Sequence, residues 1–234
     1  MQDSKTNQRE DKEMEAAQQI ISRLELSAPS TLPRNGTKMV CPFCQDQTWI
    51  PVEGKNAVRR CQCYVDRQLE KIPKRFVKCT FQSYYPKDRT QESAKRSMEG
   101  NPGSSFFLFG HYGRGKTHLL YAQYRQVILS GRRGFIRTTK QLIDELVDLE
   151  LDKGNSQILE AVGAAEPIHL FWDDIDKLKP TEFKHEVLYD LVDKIYRNSH
   201  KLTATSNIDI TQLGTVLGEA MARRIDDICR VVRV

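Results

Sequence analysis

From residue 104 onward the spacing of apolar positions switches repeatedly between strand and helix. Residues 105–109 (SFFLF) are a short apolar run that stops at Gly110, and 116–129 predict a helix closed by Gly131. Residues 134–137 predict a second strand. Thr138, with Gln141 three positions on, predicts a capping box, and the following helix carries Leu142, Ile143, Leu146 and Val147 on one face. The run 168–172 (IHLFW) has almost no polar interruption, as a strand covered on both faces requires. Residues 181–197 predict an amphipathic helix through Val187, Leu188, Leu191, Val192 and Ile195. Residues 202–206 predict a fourth strand, 218–228 a helix and 231–234 a fifth strand. Strands regularly separated by helices predict an α/β fold: a parallel five-stranded sheet flanked by helices.

The first part of the chain has a different pattern. Residues 1–38 are polar. Met14, Ala17, Ile21 and Leu24 give one apolar helical stripe there, and 27–38, with two prolines and a glycine, read as a linker. Residues 39–70 hold four of the six cysteines. Residues 71–234 make the α/β domain, entered through a connection with Pro73 and Pro86 near its ends.

Composition narrows the class. Charged residues are 29% of the chain and the net charge is +5, a mild excess that permits nucleic-acid binding without arguing for it. No apolar run reaches the roughly 18 residues of a membrane span, and the N-terminus has no signal-peptide core. A cytoplasmic protein is expected, where disulfides are rare, so the cysteines need another use. Cys41 and Cys44, then Cys61 and Cys63, form two close pairs, the arrangement that encloses a tetrahedral Zn²⁺. Residues 46–54, with Trp49, Ile50 and Val52, predict a small strand pair between them. Four cysteine ligands leave no open position, so the ion is expected to be structural. Iron–sulfur ligation and metal-free buried thiols are the alternatives; Cys79 and Cys229 read as ordinary buried thiols.

The sharpest motif is Gly110-His-Tyr-Gly-Arg-Gly-Lys116-Thr117, a G-x4-G-K-[ST] phosphate loop between a strand and a helix. Gly110, Gly113 and Gly115 let backbone N–H groups close on phosphate oxygens, and the helix N-terminus adds positive potential. Lys116 reaches the β- and γ-phosphates, and the Thr117 hydroxyl suits Mg²⁺. Arg114 and His118 are counted among the nucleotide-contacting residues; Arg114 reads as a solvated loop arginine without a catalytic role. The strand 168–172 delivers Asp173 and Asp174 to the sheet's carboxyl edge. Asp173 is expected to hold Mg²⁺ and Asp174 to polarise the attacking water.

These segments, with TATSNID and LGEAMARRID after them and CPFC, CQC, IPKRF and TFQSYYP before, resemble the AAA+ ATPases of the DnaC/DnaI helicase-loader and IstB transposition-helper group. The resemblance covers roughly residues 39–234. It implies a P-loop NTPase (AAA+) domain preceded by a small zinc-binding module, binding ATP and Mg²⁺. It makes Asn207 the polar residue after the fourth strand that senses the γ-phosphate, with capping of the next helix as the alternative role. It makes Arg224 a trans-acting arginine finger, with Arg223 as competitor. No position matches the family's second sensor arginine, so weak or partner-stimulated hydrolysis is expected.

The resemblance also implies partners: a replicative helicase, or a transposase or initiator protein, and single-stranded DNA without sequence preference. ATP-dependent self-association, or docking on another AAA+ subunit, is implied as well. The competing classes are a transposition or phage helper ATPase and a nucleotide-gated scaffold that binds protein alone. Lys71, Lys74, Arg75, Lys78, Arg132 and Arg133 are the basic residues that could meet phosphates.

Overall fold

The computed structural model describes residues 41–150, 156–177 and 182–234. The expected N-terminal helix and linker, residues 1–38, lie outside the described residues. The chain divides into two compact units between Lys71 and Ile72.

The first unit holds a two-stranded antiparallel sheet, β1 (Trp49–Pro51) and β2 (Val58–Arg60), followed by helix α1 (Gln62–Glu70). The strand pair is therefore not confined to residues 46–54. The chain turns through Glu53-Gly-Lys-Asn, where Val52 N–H donates to Ala57 O at 2.9 Å, and the second strand comes from beyond the turn. The Arg60 guanidinium lies 3.6 Å over the Trp49 ring and 4.6 Å over Tyr64, which gives this small unit an aromatic and cationic core.

The second unit is an α/β layer structure. Its strands are β3 (Phe106–Phe109), β4 (Arg133–Thr138), β5 (Ile168–Asp173), β6 (Lys201–Ser206) and β7 (Arg230–Arg233). All pairings are parallel, in the order β4-β5-β6-β3-β7. The helices are α2 (Arg89–Glu99), α3 (Lys116–Leu129), α4 (Thr139–Glu150), α5 (Gln157–Gly163), α6 (Glu182–Arg197), α7 (Ile210–Leu217) and α8 (Glu219–Ile228). Side-chain alternation along β3 divides the core. Phe107 joins Leu170, Trp172, Leu202 and the α4–α8 side, while Phe106 and Leu108 join Leu119, Ala122, Met98 and Phe81 under α2 and α3. β5 is buried along its whole length, as its unbroken apolar run requires.

The Thr138–Gln141 box forms: Thr138 N–H donates to Gln141 Oε1 at 2.9 Å and Gln141 N–H to Thr138 Oγ1 at 3.3 Å. Helices α1, α2, α5 and α7 have no counterpart in the sequence reading. α2 is mostly polar, with only Gln91, Ala94 and Met98 buried, so few apolar positions mark it in the sequence. Among the described residues no helix is long and apolar enough to cross a membrane.

Candidate nucleotide site and cysteine centre

The strand order puts β6 between the phosphate-loop strand β3 and the acidic strand β5. Phe109 lies beside Ser206, and Gly110 N–H donates to Ser206 O at 3.3 Å, so Asn207 follows directly beside the loop. Trp172 lies beside Ala204 on the other edge of β6, which brings Thr205 to Asp173. Three strand ends thus converge at the carboxyl edge of the sheet.

Lys116 sits at the first position of α3, buried to 6% exposure. Its Nζ donates to Gly110 O at 2.6 Å, His111 O at 3.0 Å and Asn207 Oδ1 at 3.0 Å. Burial lowers its pKa from the ordinary lysine value, while the carboxylates of Asp174, Asp176 and Asp173 oppose that shift. Asn207 is fixed from its other end: its N–H and Nδ2 donate to the two oxygens of Asp176 at 3.2 and 2.9 Å. Its amide oxygen is thereby turned to Lys116. The helix-capping alternative goes to another residue, since Asp209 caps α7 in a box with Gln212.

Asp173 is 5% exposed, and its Oδ1 accepts from Thr205 Oγ1 at 2.6 Å and Thr117 Oγ1 at 3.1 Å. Burial raises its pKa, partly offset by the two hydroxyls and reinforced by Asp174. A buried carboxylate beside a hydroxyl at a helix N-terminus is an oxygen donor set that fits a hard divalent cation. Asp174 has φ +60, a left-handed conformation held on both sides. Its N–H donates to Thr205 Oγ1 at 2.8 Å and its carbonyl accepts from Thr139 Oγ1 at 2.6 Å, with Trp172 Nε1 donating to the same Thr139 hydroxyl. The Asp174 carboxylate is ion-paired with Lys177.

Two of the expected nucleotide-contacting residues have their side chains engaged within the protein. The Arg114 side chain is half-exposed but paired: Nε donates to Val234 O at 3.2 Å, and Nη2 pairs with Asp88 at 2.5 Å. The His118 ring bonds Thr80 O at 2.9 Å and Ser83 Oγ at 3.2 Å and meets the Tyr84 ring edge-on. The His118 side chain serves the segment before α2, and the Arg114 side chain ties Asp88 at the start of α2 to the end of β7. Arg224 on α8 is also engaged, by Asp193, whereas Arg223 is exposed. Asp176, Thr205, Thr139, Lys177 and Asp193 were not singled out in the sequence. Asp176 and Thr205 lay within quoted motifs; the other three carried no spacing signal.

Among the basic residues of the second unit, Lys74, Arg75, Lys78 and Arg132 are exposed, and Arg133 pairs with Glu166 at 3.7 Å.

In the first unit the four Sγ atoms of Cys41, Cys44, Cys61 and Cys63 lie within 4.8 Å of one another. Cys44 and Cys63 are 3.3 Å apart and Cys41 and Cys61 3.7 Å. Four sulfurs each about 2.3 Å from one Zn²⁺ would be separated by roughly these distances, so the residues fit the ion. Arg67 Nη2 donates to Cys63 Sγ at 3.2 Å, an outer bond of the kind that steadies a thiolate ligand.

No family model matches the chain. The "Chromosomal replication initiator protein DnaA" of Mesoplasma florum is 28% identical over 119 residues, 49% of this chain and 27% of the initiator. The chain thus spans about a quarter of that protein's length. Among solved structures, the DnaC helicase loader superposes with TM-score 0.62 at 22% identity, covering 69% of this chain and 99% of the loader. This is an AAA+ fold. DnaI superposes with TM-score 0.59 at 18% identity, over 72% of this chain and 96% of DnaI. AMPPCP-bound DnaA from Aquifex aeolicus gives 0.56 at 18% identity, over 67% of this chain and 50% of that one. The AAA+ unit, preceded by a four-cysteine cluster, has the five-stranded parallel sheet and flanking helices expected from the sequence.

Proposed function

We propose that the chain is an ATP-binding, ATP-hydrolysing AAA+ subunit of the replication type, acting as a loader of a replicative helicase onto single-stranded DNA. The observation that carries the ATP reading is the convergence of Lys116, Asn207, Thr117 and Asp173 where β3, β5 and β6 end. A DnaC fold covered over 99% of its length supports the loader reading over other P-loop enzymes.

In this reading the amides of residues 110–117 bind the triphosphate, and Lys116 leaves the loop carbonyls to meet the β- and γ-phosphates. Thr117 and Asp173 would hold Mg²⁺, which supplies charge neutralisation when bound. Asp174 orients the attacking water and takes up its proton. Asn207, held by Asp176, stays within reach of the γ-phosphate position. The four cysteines would hold a structural Zn²⁺. A neighbouring subunit's arginine from α8 completes the site when subunits assemble.

The test is capture of the cognate hexameric helicase, measured with ATP, with ADP and without nucleotide. ATP-dependent capture that is lost in Lys116→Ala is expected. ATP binding without any helicase capture, but with capture of a transposase, would move the protein to the transposition helpers.

A further inference from the structure

The Arg114 carbonyl is held by two side chains from outside the phosphate loop. Tyr84 Oη donates to it at 2.9 Å and Gln91 Nε2 at 3.0 Å. Neither donor is free to turn away. Gln91 is 3% exposed, and its Oε1 accepts from Lys87 N–H at 2.6 Å, which fixes the amide with its NH₂ toward Arg114. Tyr84 is 6% exposed, its ring is edge-on to His118, and burial pushes its pKa up to about 12, so the phenol keeps its proton. The Arg114 side chain is held as well, by Asp88 and Val234 O. A Cβ on Gly115 would lie 2.5 Å from the Tyr84 ring, and Gly115 has φ +86, so only glycine suits this contact.

The carbonyl of Arg114 and the N–H of Gly115 belong to one peptide unit. In a trans peptide they point in opposite directions. Two donors pulling the carbonyl outward therefore turn the Gly115 N–H to the concave side, where Lys116 Nζ also lies against Gly110 O and His111 O. Without these donors the Arg114–Gly115 peptide is free to rotate, because glycine places little steric limit on it.

We propose that Tyr84 and Gln91 are positioning residues for the phosphate loop, setting the Arg114–Gly115 peptide so that the Gly115 N–H faces the bound triphosphate. The proposal rests on the ATP reading above and adds two residues that no phosphate-loop motif contains. It also gives the segment between Ile72 and α2 a use: the segment carries one of the two donors.

The experiment compares wild type with Tyr84→Phe, Gln91→Leu and the double variant. Binding of ATP and of inorganic tripolyphosphate is measured by calorimetry, KM and kcat for ATP by steady-state hydrolysis, and thermal melting without nucleotide. Tyr84→Phe keeps the ring against Gly115 and His118 and removes only the hydroxyl. Each single variant should weaken both probes about fivefold, the order of one net hydrogen bond. The double variant should weaken them by more than the product of the two, about 25-fold, since either donor alone still holds the carbonyl. The loss should appear in KM more than in kcat. Wild-type affinity for both probes in a folded double variant overturns the proposal and leaves the ATP reading standing. A wild-type chain that binds neither probe overturns the ATP reading and this proposal with it. A lowered melting temperature with unchanged affinity makes the two residues merely structural, which also overturns it.

Discussion

Arg224 Nε donates to Asp193 Oδ1 at 2.7 Å, and its guanidinium carbon lies 4.5 Å over the Tyr189 ring. Asp193, with a side chain only 13% exposed, holds Arg197 through its other oxygen at 2.6 Å. One edge of the Arg224 fork is thus occupied, and Nη1 makes only a 3.4 Å contact with Ala220 O. Arg223, one position earlier, is exposed. Both remain candidates to complete a neighbour's site, and the geometry separates them: Arg224 is held in place by Asp193, and Arg223 is exposed. A guanidinium anchored through Nε still presents its terminal nitrogens and loses less freedom on meeting a phosphoryl group.

Mixing variants tests this. Arg224→Ala and Lys116→Ala are each expected to be inactive alone and to recover part of the activity together, because some interfaces then pair an intact Lys116 with an intact Arg224. Asp193→Asn should reduce turnover less than Arg224→Ala, since it loosens the anchor but keeps the charge. Full turnover by Arg224→Ala with loss in Arg223→Ala would reassign the finger to Arg223.

The core strands and the phosphate loop were legible because each depends on a local pattern. FFLF and IHLFW bury both faces, and glycine spacing marks the loop. The brace on Arg114 was not legible. Tyr84 and Gln91 reach it across 30 and 23 residues, and nothing in TFQSYYP or in polar α2 marks that contact. The side-chain partners of Arg114 and His118 were not legible for the same reason: a motif gives the position of a residue, while its side chain follows the element packed outside the loop. Asn207 could be read more than one way in sequence, and Asp209, taking the helix cap, separates the two roles.

Zinc is expected at one ion per chain. Elemental analysis of purified protein should give close to one Zn, and Cys44→Ser should lower it and melt the first unit, which has little apolar core of its own. The metal-free thiols titrate unevenly, with backbone amides of Cys44 and Phe43 pulling Cys41 down to about 7 and burial pushing Cys63 up to about 12. Zinc should be released more readily in acid, where protons compete for every sulfur. Absence of both zinc and iron from the protein would remove the metal reading.

Asp173→Asn is expected to stabilise the nucleotide-free protein while weakening Mg²⁺-dependent ATP binding. The buried carboxylate titrates above its ordinary value, so the folded state binds its proton more tightly than the unfolded state. Stability from this group is therefore full at low pH and lost as pH rises from the unfolded value through the raised one. Asparagine keeps an acceptor for Thr205 and Thr117 and removes that loss. The melting temperature at pH 7 should rise, since a cost attached to the charged form is removed. The gain should vanish near pH 3, where both proteins are neutral at this position. Equal melting temperatures at pH 7 would show that the carboxylate carries no such cost.

Lys177 restrains Asp174. Its ammonium pairs with the Asp174 carboxylate three residues back, and that pairing raises the lysine pKa. The backbone of Asp174 is already fixed at φ +60 by Thr205 and Thr139, so the side chain has few other directions to take. If Asp174 orients the attacking water, it does so only when Lys177 has released it. The pair is partly exposed, with side chains 51% and 31% accessible, and pairs of this kind contribute no more than about 1 kcal/mol. Lys177→Ala should accordingly raise kcat in the absence of partners by up to about fivefold, with little change in ATP affinity. Asp174→Asn should abolish turnover and keep ATP binding, because asparagine tolerates the left-handed backbone and no phosphate contact is removed. The combination Lys177→Ala with Asp174→Asn should be as inactive as Asp174→Asn alone. A Lys177→Ala protein with unaltered kcat would mean that breaking this pair is not part of the rate-limiting step, and an Asp174→Asn protein that hydrolyses ATP at the wild-type rate would remove Asp174 from the reaction.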